Sequence, residues 1–396
     1  MGTITPMEHV DVAIIGGGVV GSATAYYLRK HGFSGSIAII EKDTTYQFGC
    51  TARSLGGLRQ QFSTPENIEL SKFGLRLIRN LKTEFGPEAE VNFHENGYLI
   101  MASESGLTIL EENHRIQLTG GADNVILRGS DMTARFSWAS GEGVAGACFS
   151  LSGEGWLDPY SLMTLLRKAA MAQGVKVIPQ ELIAIKANPE KITSITLENG
   201  QTLTCSHLVN AAGAGAGHVA SLASIPLPVG PRKRYVYCID CPSATEALHN
   251  APLTVEPGGI YFRPEGRHFL CGNSPEERDE PADLSWDVDY AWFEERIWPV
   301  LASQVPQFET IKVINAWVGH YDYNSLDQNA ILGRHPQIRN FYFANGFSGH
   351  GLQQGPAAGN AIAELIEHGA YREIDLTRMG YGRVVRNEPL FEKNVI

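Results

Sequence analysis

The chain has 396 residues, 43% of them apolar and 19% charged, with a formal net charge of −11. That length buries a large core and suits two intertwined domains. The acidic balance gives no attraction to nucleic acid or to an anionic membrane, and no apolar run approaches the length of a membrane span.

The short lead Met1–His9 lacks the apolar core of a signal peptide and the arginines of a transit peptide, so a cytoplasmic location is expected. An apolar run, Val10–Ile15, then ends in Gly16-x-Gly18-x-x-Gly21. A helical stretch follows to His31, and a second apolar run, Ile37–Ile40, ends in Glu41. This reads as strand, tight turn, helix and parallel strand, the first unit of a dinucleotide-binding fold. Gly16 allows the turn, Gly18 lets backbone N–H groups reach a pyrophosphate, and Gly21 lets helix and strand pack closely. Glu41 stands where a carboxylate meets the adenosine ribose, which disfavours NADP. Gly21, Ala25 and Leu28 share the helix face that should lie on the sheet.

Phe48–Gln61 is rich in glycine and polar residues and carries Arg53 and Arg59. It is either a surface loop or a segment running back across the cofactor. Thr64-Pro65-Glu66 looks like an N-cap, a first-turn proline and a first-turn acid, with Leu70, Phe73, Leu77 and Leu81 as the apolar stripe. From about Asn92 the texture changes. Asn96-Gly97 before Tyr98-Leu99-Ile100 is a hairpin-like signal, and short apolar pieces run on to Ser150.

Asp158 and Pro159 start a clear helix, buried through Leu162, Leu165, Leu166 and Ala169 and ended by Gly174. Val175–Val177 reads as a strand, and Ile195–Leu197 with Thr202–Thr204 as a hairpin around Asn199-Gly200. Leu208–Gly215 is a strand running into a glycine turn. Cys238 and Cys241 have redox or metal spacing but sit in a strand-like stretch without a second pair. The histidines show no metal-ligand spacing, so no metal is expected. Tyr261 and Arg263 share one face of the strand Gly259–Pro264, and Asp287–Leu301 is an amphipathic helix. Phe341–Ala344 is a strand that runs into Asn345–Gly355, whose glycines free backbone N–H groups at a helix start. After about Tyr371 the tail reads as a surface extension.

The Rossmann unit, the turn Val209-Asn210-Ala211-Ala212-Gly213 and the turn Gly346-Phe347-Ser348-Gly349-His350-Gly351 together resemble the D-amino-acid oxidase-like FAD oxidoreductases. That family includes glycine oxidase, sarcosine oxidase and dimethylglycine dehydrogenase, and the resemblance covers about Asp11 to Asp375. His320-Tyr321-Asp322-Tyr323-Asn324, Asp327-Gln328-Asn329 and Gly346–Gln354 look most like its mitochondrial branch associated with respiratory complex I assembly. The implied fold is α/β, a Rossmann-type FAD-binding domain interleaved with a sheet-rich α+β substrate domain. The first takes 10–90, 150–222 and 326–375, the second 91–149 and 223–325, and a tail follows over 376–396.

The resemblance implies FAD held by Gly16, Gly18, Val19, Val20, Gly21, Glu41 and Lys42, with Arg53 and Ser54 in the following loop. Val177 would meet the adenine through its backbone, Ala211, Ala212 and Gly213 would lie along the cofactor, and Gly349, His350, Gly351, Leu352 and Gln353 would approach the flavin. Arg53 stands where relatives carry a flavin-linking histidine and His320 where others carry a linking cysteine, so FAD should be non-covalent. The glycine oxidase arginine clamp falls at Tyr321 or Asp322 and a sarcosine oxidase-like lysine at Gln353, so both are missing. Arg59 aligns with a carboxylate-binding arginine.

The expected reaction oxidises the C–N bond of a secondary amine or N-substituted amino acid to an imine, by hydride transfer to flavin N5, followed by hydrolysis. Arg59 would take the carboxylate, with Tyr261 and Tyr321 as walls and His320 and His350 as polar groups at the ring. Arg263 is a further anion contact. Leu270 aligns with a lysine that helps sarcosine oxidase-like enzymes react with oxygen, so a quinone or flavoprotein carrier is the expected electron acceptor. The alternative is a flavoprotein without catalysis that assists assembly of a respiratory complex.

Overall fold

Strands buried on both faces need continuous apolar runs, and the first two apolar runs form the centre of a parallel sheet. The computed structural model describes residues 8–275, 278, 280, 281 and 283–394. The lead Met1–Met7 and the last two tail positions, 395 and 396, lie outside the described residues.

The first sheet runs, in spatial order, Ile331–Arg334, Phe341–Asn345, Thr202–Asn210, Glu8–Ile15, Ile37–Ile40 and Lys176–Ile178. Its central pairings are parallel, with Val12 opposite both Ile37 and His207. The helix Val19–Lys30 and the helix Gly351–His368 pack on one face and on each other, with Ala23, Ala25, Leu28, Ala358 and Ile362 buried. The expected hairpin around Asn199-Gly200 is present, Ile195 opposite Leu203, with Gly200 at φ +83°. A strand at Leu182–Ala187 extends it. Asp158 caps Pro159–Ala172 by accepting from Tyr160 N–H at 3.0 Å.

The second sheet runs Lys312–Asn324, Val229–Asp240, His268–Asn273, Ile260–Glu265, Leu253–Val255, Tyr98–Ala102, Gly146–Ser150 and Asn124–Arg128. All its pairings are antiparallel except Tyr98–Ala102 with Leu253–Val255. Its far side is an aromatic core that includes Phe262, Phe269, Phe293 and Phe308. Several expectations are corrected in this half. Asn96-Gly97 makes no hairpin, because the chain before it pairs at His94 with Trp156 instead of with Tyr98–Ala102. The short apolar pieces before Ser150 include two helices, Leu107–Thr119 and Ser130–Arg135. The amphipathic helix starts at Tyr290, where Asp289 caps it, and runs on to Gln304 through a wider, π-type turn over Phe293–Ile297.

The stretch beyond Tyr371 is not a surface extension. Leu376, Met379 and Tyr381 are buried, and Tyr381 stacks on Phe343 with ring centres 4.4 Å apart. Arg383 forms a buried ion pair with Asp327, Nε to Oδ2 at 2.7 Å. The Thr64 side chain, expected as a cap, accepts nothing from Pro65–Arg79; the Glu392 carboxylate instead holds the chain just ahead of that helix, accepting from Ser63 N–H at 2.7 Å and Thr64 N–H at 3.1 Å. The acid is far away in sequence and so invisible to local reading.

Candidate active site

One cavity of about 700 Å3 joins the Gly16 turn to the second sheet, a volume typical of cofactor sites. Gly16 has φ +98°, and a Cβ on it would overlap Ala211 O. A Cβ on Gly21 would overlap Gly16 O, so helix and strand approach as closely as glycine permits. Gly18 is different. Its φ is −61°, and an added Cβ would find Thr51 Oγ1 as its nearest neighbour at 3.3 Å. The fold tolerates a side chain there; the space it would fill is the cavity.

Glu41 Oε2 accepts from Gly17 N–H at 2.7 Å and Oε1 from Asp43 N–H at 2.8 Å. Each oxygen keeps a lone pair for ribose hydroxyls. Thr51 Oγ1 accepts from Val19 N–H at 3.1 Å, so the loop after the second strand supplies an oxygen to the first helix N-terminus. That loop is a cavity wall and not a loose surface segment: Cys50, Thr51, Ser54 and Leu55 line it.

The wall includes Gly16, Gly18, Val19, Val20, Glu41, Lys42, Ser54, Ala211, Ala212, Gly213, Gly349, Gly351, Leu352 and Gln353, together with Arg59, Tyr261, His320 and Tyr321. Gly21, Arg53, Val177 and His350 are not on it. Gly21 lies beneath the helix. Arg53 turns its guanidinium to the carbonyls of Gln47 and Val318, at 2.6 and 2.7 Å. Val177 pairs with Ile39 one strand away, and Gln180, Glu181 and Leu182 form the wall there. His350 stands behind Arg59.

At the other end Asp322 holds the second glycine turn. Its Oδ2 accepts from Gly346 N–H at 2.9 Å and Phe347 N–H at 3.0 Å, and its carbonyl accepts from Ser348 N–H at 3.1 Å. Burial pushes its carboxyl up to about 6, against the pull of those N–H groups. Gly349, at φ +99°, has no Cβ because the Tyr321 ring would be 2.6 Å from it. The turn thus leads into Gly351–His368, whose N-terminus lines the same cavity as Tyr321. His320 packs tilted against Trp286, ring centres 4.1 Å apart, and its Nε2 is buried without a partner among the described residues. Burial, Lys233 and Arg53 all hold its pKa below the usual imidazole value.

Arg59 is 2% exposed. Its guanidinium donates to the carbonyls of Gln61 and Asn394 and to His350 Nε2, and lies 4.3 Å from the Phe62 ring centre. No carboxylate among the described residues comes within ion-pair distance of it. Behind it lies Glu154, fully buried, accepting from Gln60 N–H at 2.7 Å and Gln61 Nε2 at 2.9 Å. Burial pushes this carboxyl up to about 7, with Gln61, Gln60 and Arg59 pulling the other way.

Two second-sheet expectations are corrected. Arg263 is buried, yet its guanidinium is used internally, Nε donating to Leu55 O at 2.9 Å with Glu265 as its ion-pair partner, so it is not an anion contact. Leu270 pairs with Arg263 and Cys238 and is not on the cavity wall; nor are Phe269 and Cys271, which face the aromatic core. Sequence reasoning passed over Thr51, Asp322's part in the turn, Trp286 and Tyr98. Thr51 was legible in principle as an acceptor in a loop returning to a helix start; Trp286 carries no local signal at all.

The model of the FAD dependent oxidoreductase family matches residues 11–365. The chain belongs to that family. It is 39% identical over 429 aligned positions to FAD-dependent oxidoreductase domain-containing protein 1 of Xenopus laevis, covering 99% of this chain and 86% of the relative. Among solved structures, L-proline dehydrogenase from P. horikoshii superposes with a TM-score of 0.85 at 23% identity, covering 97% of this chain and all of that one. Glycine oxidase from Geobacillus kaustophilus gives 0.80 at 22%, covering 94% and 98%. FAD is the cofactor of the family, and the residues here fit it: the space beside Gly18, the fixed Glu41 carboxylate and the helix N-terminus at Gly351 are each where such a dinucleotide needs them. Among the described residues no helix is long and apolar enough to cross a membrane.

Proposed function

We propose that this flavoprotein oxidises the C–N bond of an N-substituted amino acid or secondary amine to an imine, which water then hydrolyses. The observation that carries the reading is the buried Arg59 cation on the wall of the cavity that the Gly16 turn also lines. Carbonyl dipoles and an imidazole surround it, and a buried cation without an anion is completed by an anionic ligand. A substrate carboxylate is such a ligand. Tyr261 and Tyr321 then flank the amine, and His320, neutral with a bare buried Nε2, offers an acceptor for its N–H. FAD, when bound, accepts the hydride and its electron pair. The residues bind, orient and exclude water.

The same reading sends the electrons on to a quinone or flavoprotein carrier. The one lysine among the described wall residues, Lys42, adjoins Glu41 at the dinucleotide end, so no ammonium there supports oxygen reduction. Anaerobic mixing of the yellow protein with N-alkyl amino acids, prolines and opine-like compounds tests the proposal. Bleaching by at least one class is the expected result; a flavin that stays oxidised with all of them overturns it.

A further inference from the structure

The stretch Leu390–Asn394 is fastened to the rest of the molecule through Leu390, Glu392 and Asn394. Leu390 N–H donates to Asp327 Oδ2 at 2.9 Å, and Leu390 O accepts from Asn329 Nδ2 at 2.8 Å. Glu392, only 5% exposed, accepts from the Ser63 and Thr64 N–H groups, from Ser63 Oγ at 2.6 Å and from Asn67 Nδ2 at 2.9 Å. Asn394 then reaches the cavity wall from behind. Its Nδ2 donates to Gln61 O at 2.9 Å, and its carbonyl accepts from Arg59 Nη2 at 2.6 Å.

We infer that Glu392 and Asn394 are positioning residues for anion recognition, fixing the Arg59 guanidinium on the cavity wall so that a remaining N–H group is offered to a ligand carboxylate. The inference rests on the proposed role of Arg59. A guanidinium has five N–H donors in one plane. Gln61 O, Asn394 O and His350 Nε2 take three of them, leaving two uncommitted. Those three acceptors together with the Phe62 face define the plane. Asn394 acts on two of the three, directly through its carbonyl and indirectly by holding Gln61 O. Glu392 holds Asn394 in turn, since Asn394 N–H donates to Glu392 Oε1 at 2.9 Å. The one group of this stretch that touches the guanidinium, Asn394 O, is a carbonyl dipole, so it orients the cation without forming an ion pair with it.

The test needs no substrate. FAD-loaded full-length protein is titrated with benzoate and with its neutral isostere benzamide, following the flavin absorbance. The intact protein should prefer benzoate. Asn394→Ala, which removes the Nδ2 bond to Gln61 O and keeps the backbone carbonyl on Arg59, and Glu392→Ala should each weaken benzoate binding about fivefold, the scale of one lost neutral hydrogen bond. The benzamide response and FAD content should not change. Glu392→Gln, which keeps one acceptor oxygen, should fall between wild type and Glu392→Ala. If Glu392→Ala does not fold, Asn394→Ala and Glu392→Gln carry the test. Unchanged benzoate binding in these variants overturns the positioning role and leaves Arg59 in place, as does equal weakening of both ligands. An intact protein without preference for benzoate overturns the role of Arg59, and this inference with it.

Discussion

Arg59 Nη2 lies 3.1 Å from His350 Nε2. A guanidinium only donates, so Nε2 is the bare nitrogen and the imidazole proton sits on Nδ1. Burial and the Arg59 charge hold the His350 pKa well below the usual imidazole value. His350 should therefore stay neutral throughout pH 6–8. The pH profile of kcat/KM checks this: a limb in that window that disappears in His350→Gln would show that the ring titrates.

Arg59→Ala should cost about 2–5 kcal/mol of transition-state binding, mostly as substrate capture, because a desolvated charge pair is lost. Arg59→Lys should not restore it, since an ammonium on a flexible stem cannot serve Gln61, Asn394 and His350 in one plane. The measurement is kcat/KM of each variant with the substrate found in the anaerobic screen. A loss of only about tenfold in the alanine variant, near 1.4 kcal/mol, would assign the substrate anion to another residue.

The glycines of the first turn should separate by role. Gly18→Ala should fold normally and lose FAD affinity, because its Cβ meets only Thr51 Oγ1 within the protein. Gly21→Ala should lower the melting temperature of the FAD-free protein, since its Cβ overlaps a backbone carbonyl that cannot move aside. Calorimetry of the apo forms with FAD titration distinguishes the two. Acid precipitation of the wild type should release free FAD; colour retained in the pellet would point to His320, the candidate linking residue on the cavity wall.

Leu270→Lys should not speed flavin reoxidation by oxygen, because position 270 is off the cavity. It should instead destabilise the fold by more than about 2 kcal/mol, as a charge placed at a buried strand site. Stopped-flow reoxidation and a denaturant titration read the two effects separately. Faster reoxidation would place the ring closer to that strand than the cavity does.

Glu154 makes stability depend on pH. Burial raises its folded pKa to about 7 from the ordinary 4.5, so between these values the folded chain holds a proton that the unfolded chain releases. The contribution is fully present below about pH 4.5 and is lost as pH rises through about 7. Glu154→Gln should thus gain relative to wild type by up to about 3 kcal/mol between pH 5 and pH 8. Melting temperatures across that range test it; a constant difference between the two proteins would mean that Glu154 does not titrate there.

What was legible in the sequence is what short-range chemistry dictates. Gly16 and Gly349 are left-handed positions, Asp158 caps its own helix, and Gly200 makes its own hairpin. The misreadings at Thr64 and Arg263 share one cause, a partner far away along the chain. Thr64 had every mark of a cap, yet its side chain accepts nothing from the helix, and the entry to the helix is held by Glu392, separated from Ser63 by 329 positions. Arg263 was expected as a further anion contact, but Leu55, 208 positions away, takes its Nε–H. Arg59 was identified from its likeness to a family position, but its three acceptors could not be, because they come from three segments.

The order of strands in the first sheet also constrains how the chain is made. Glu8–Ile15 is central, and its neighbour on one side, Thr202–Asn210, pairs Leu203 with Glu8. A ribosome adding about 5–20 residues per second needs roughly 10–40 s to supply that neighbour. Throughout that interval Val12 and Ile14, buried completely in the finished protein, lack one flank of their sheet. Substitutions along Glu8–Ile15 should therefore reduce yield in the cell more than the equilibrium stability of purified protein suggests, with holdase chaperones bridging the wait.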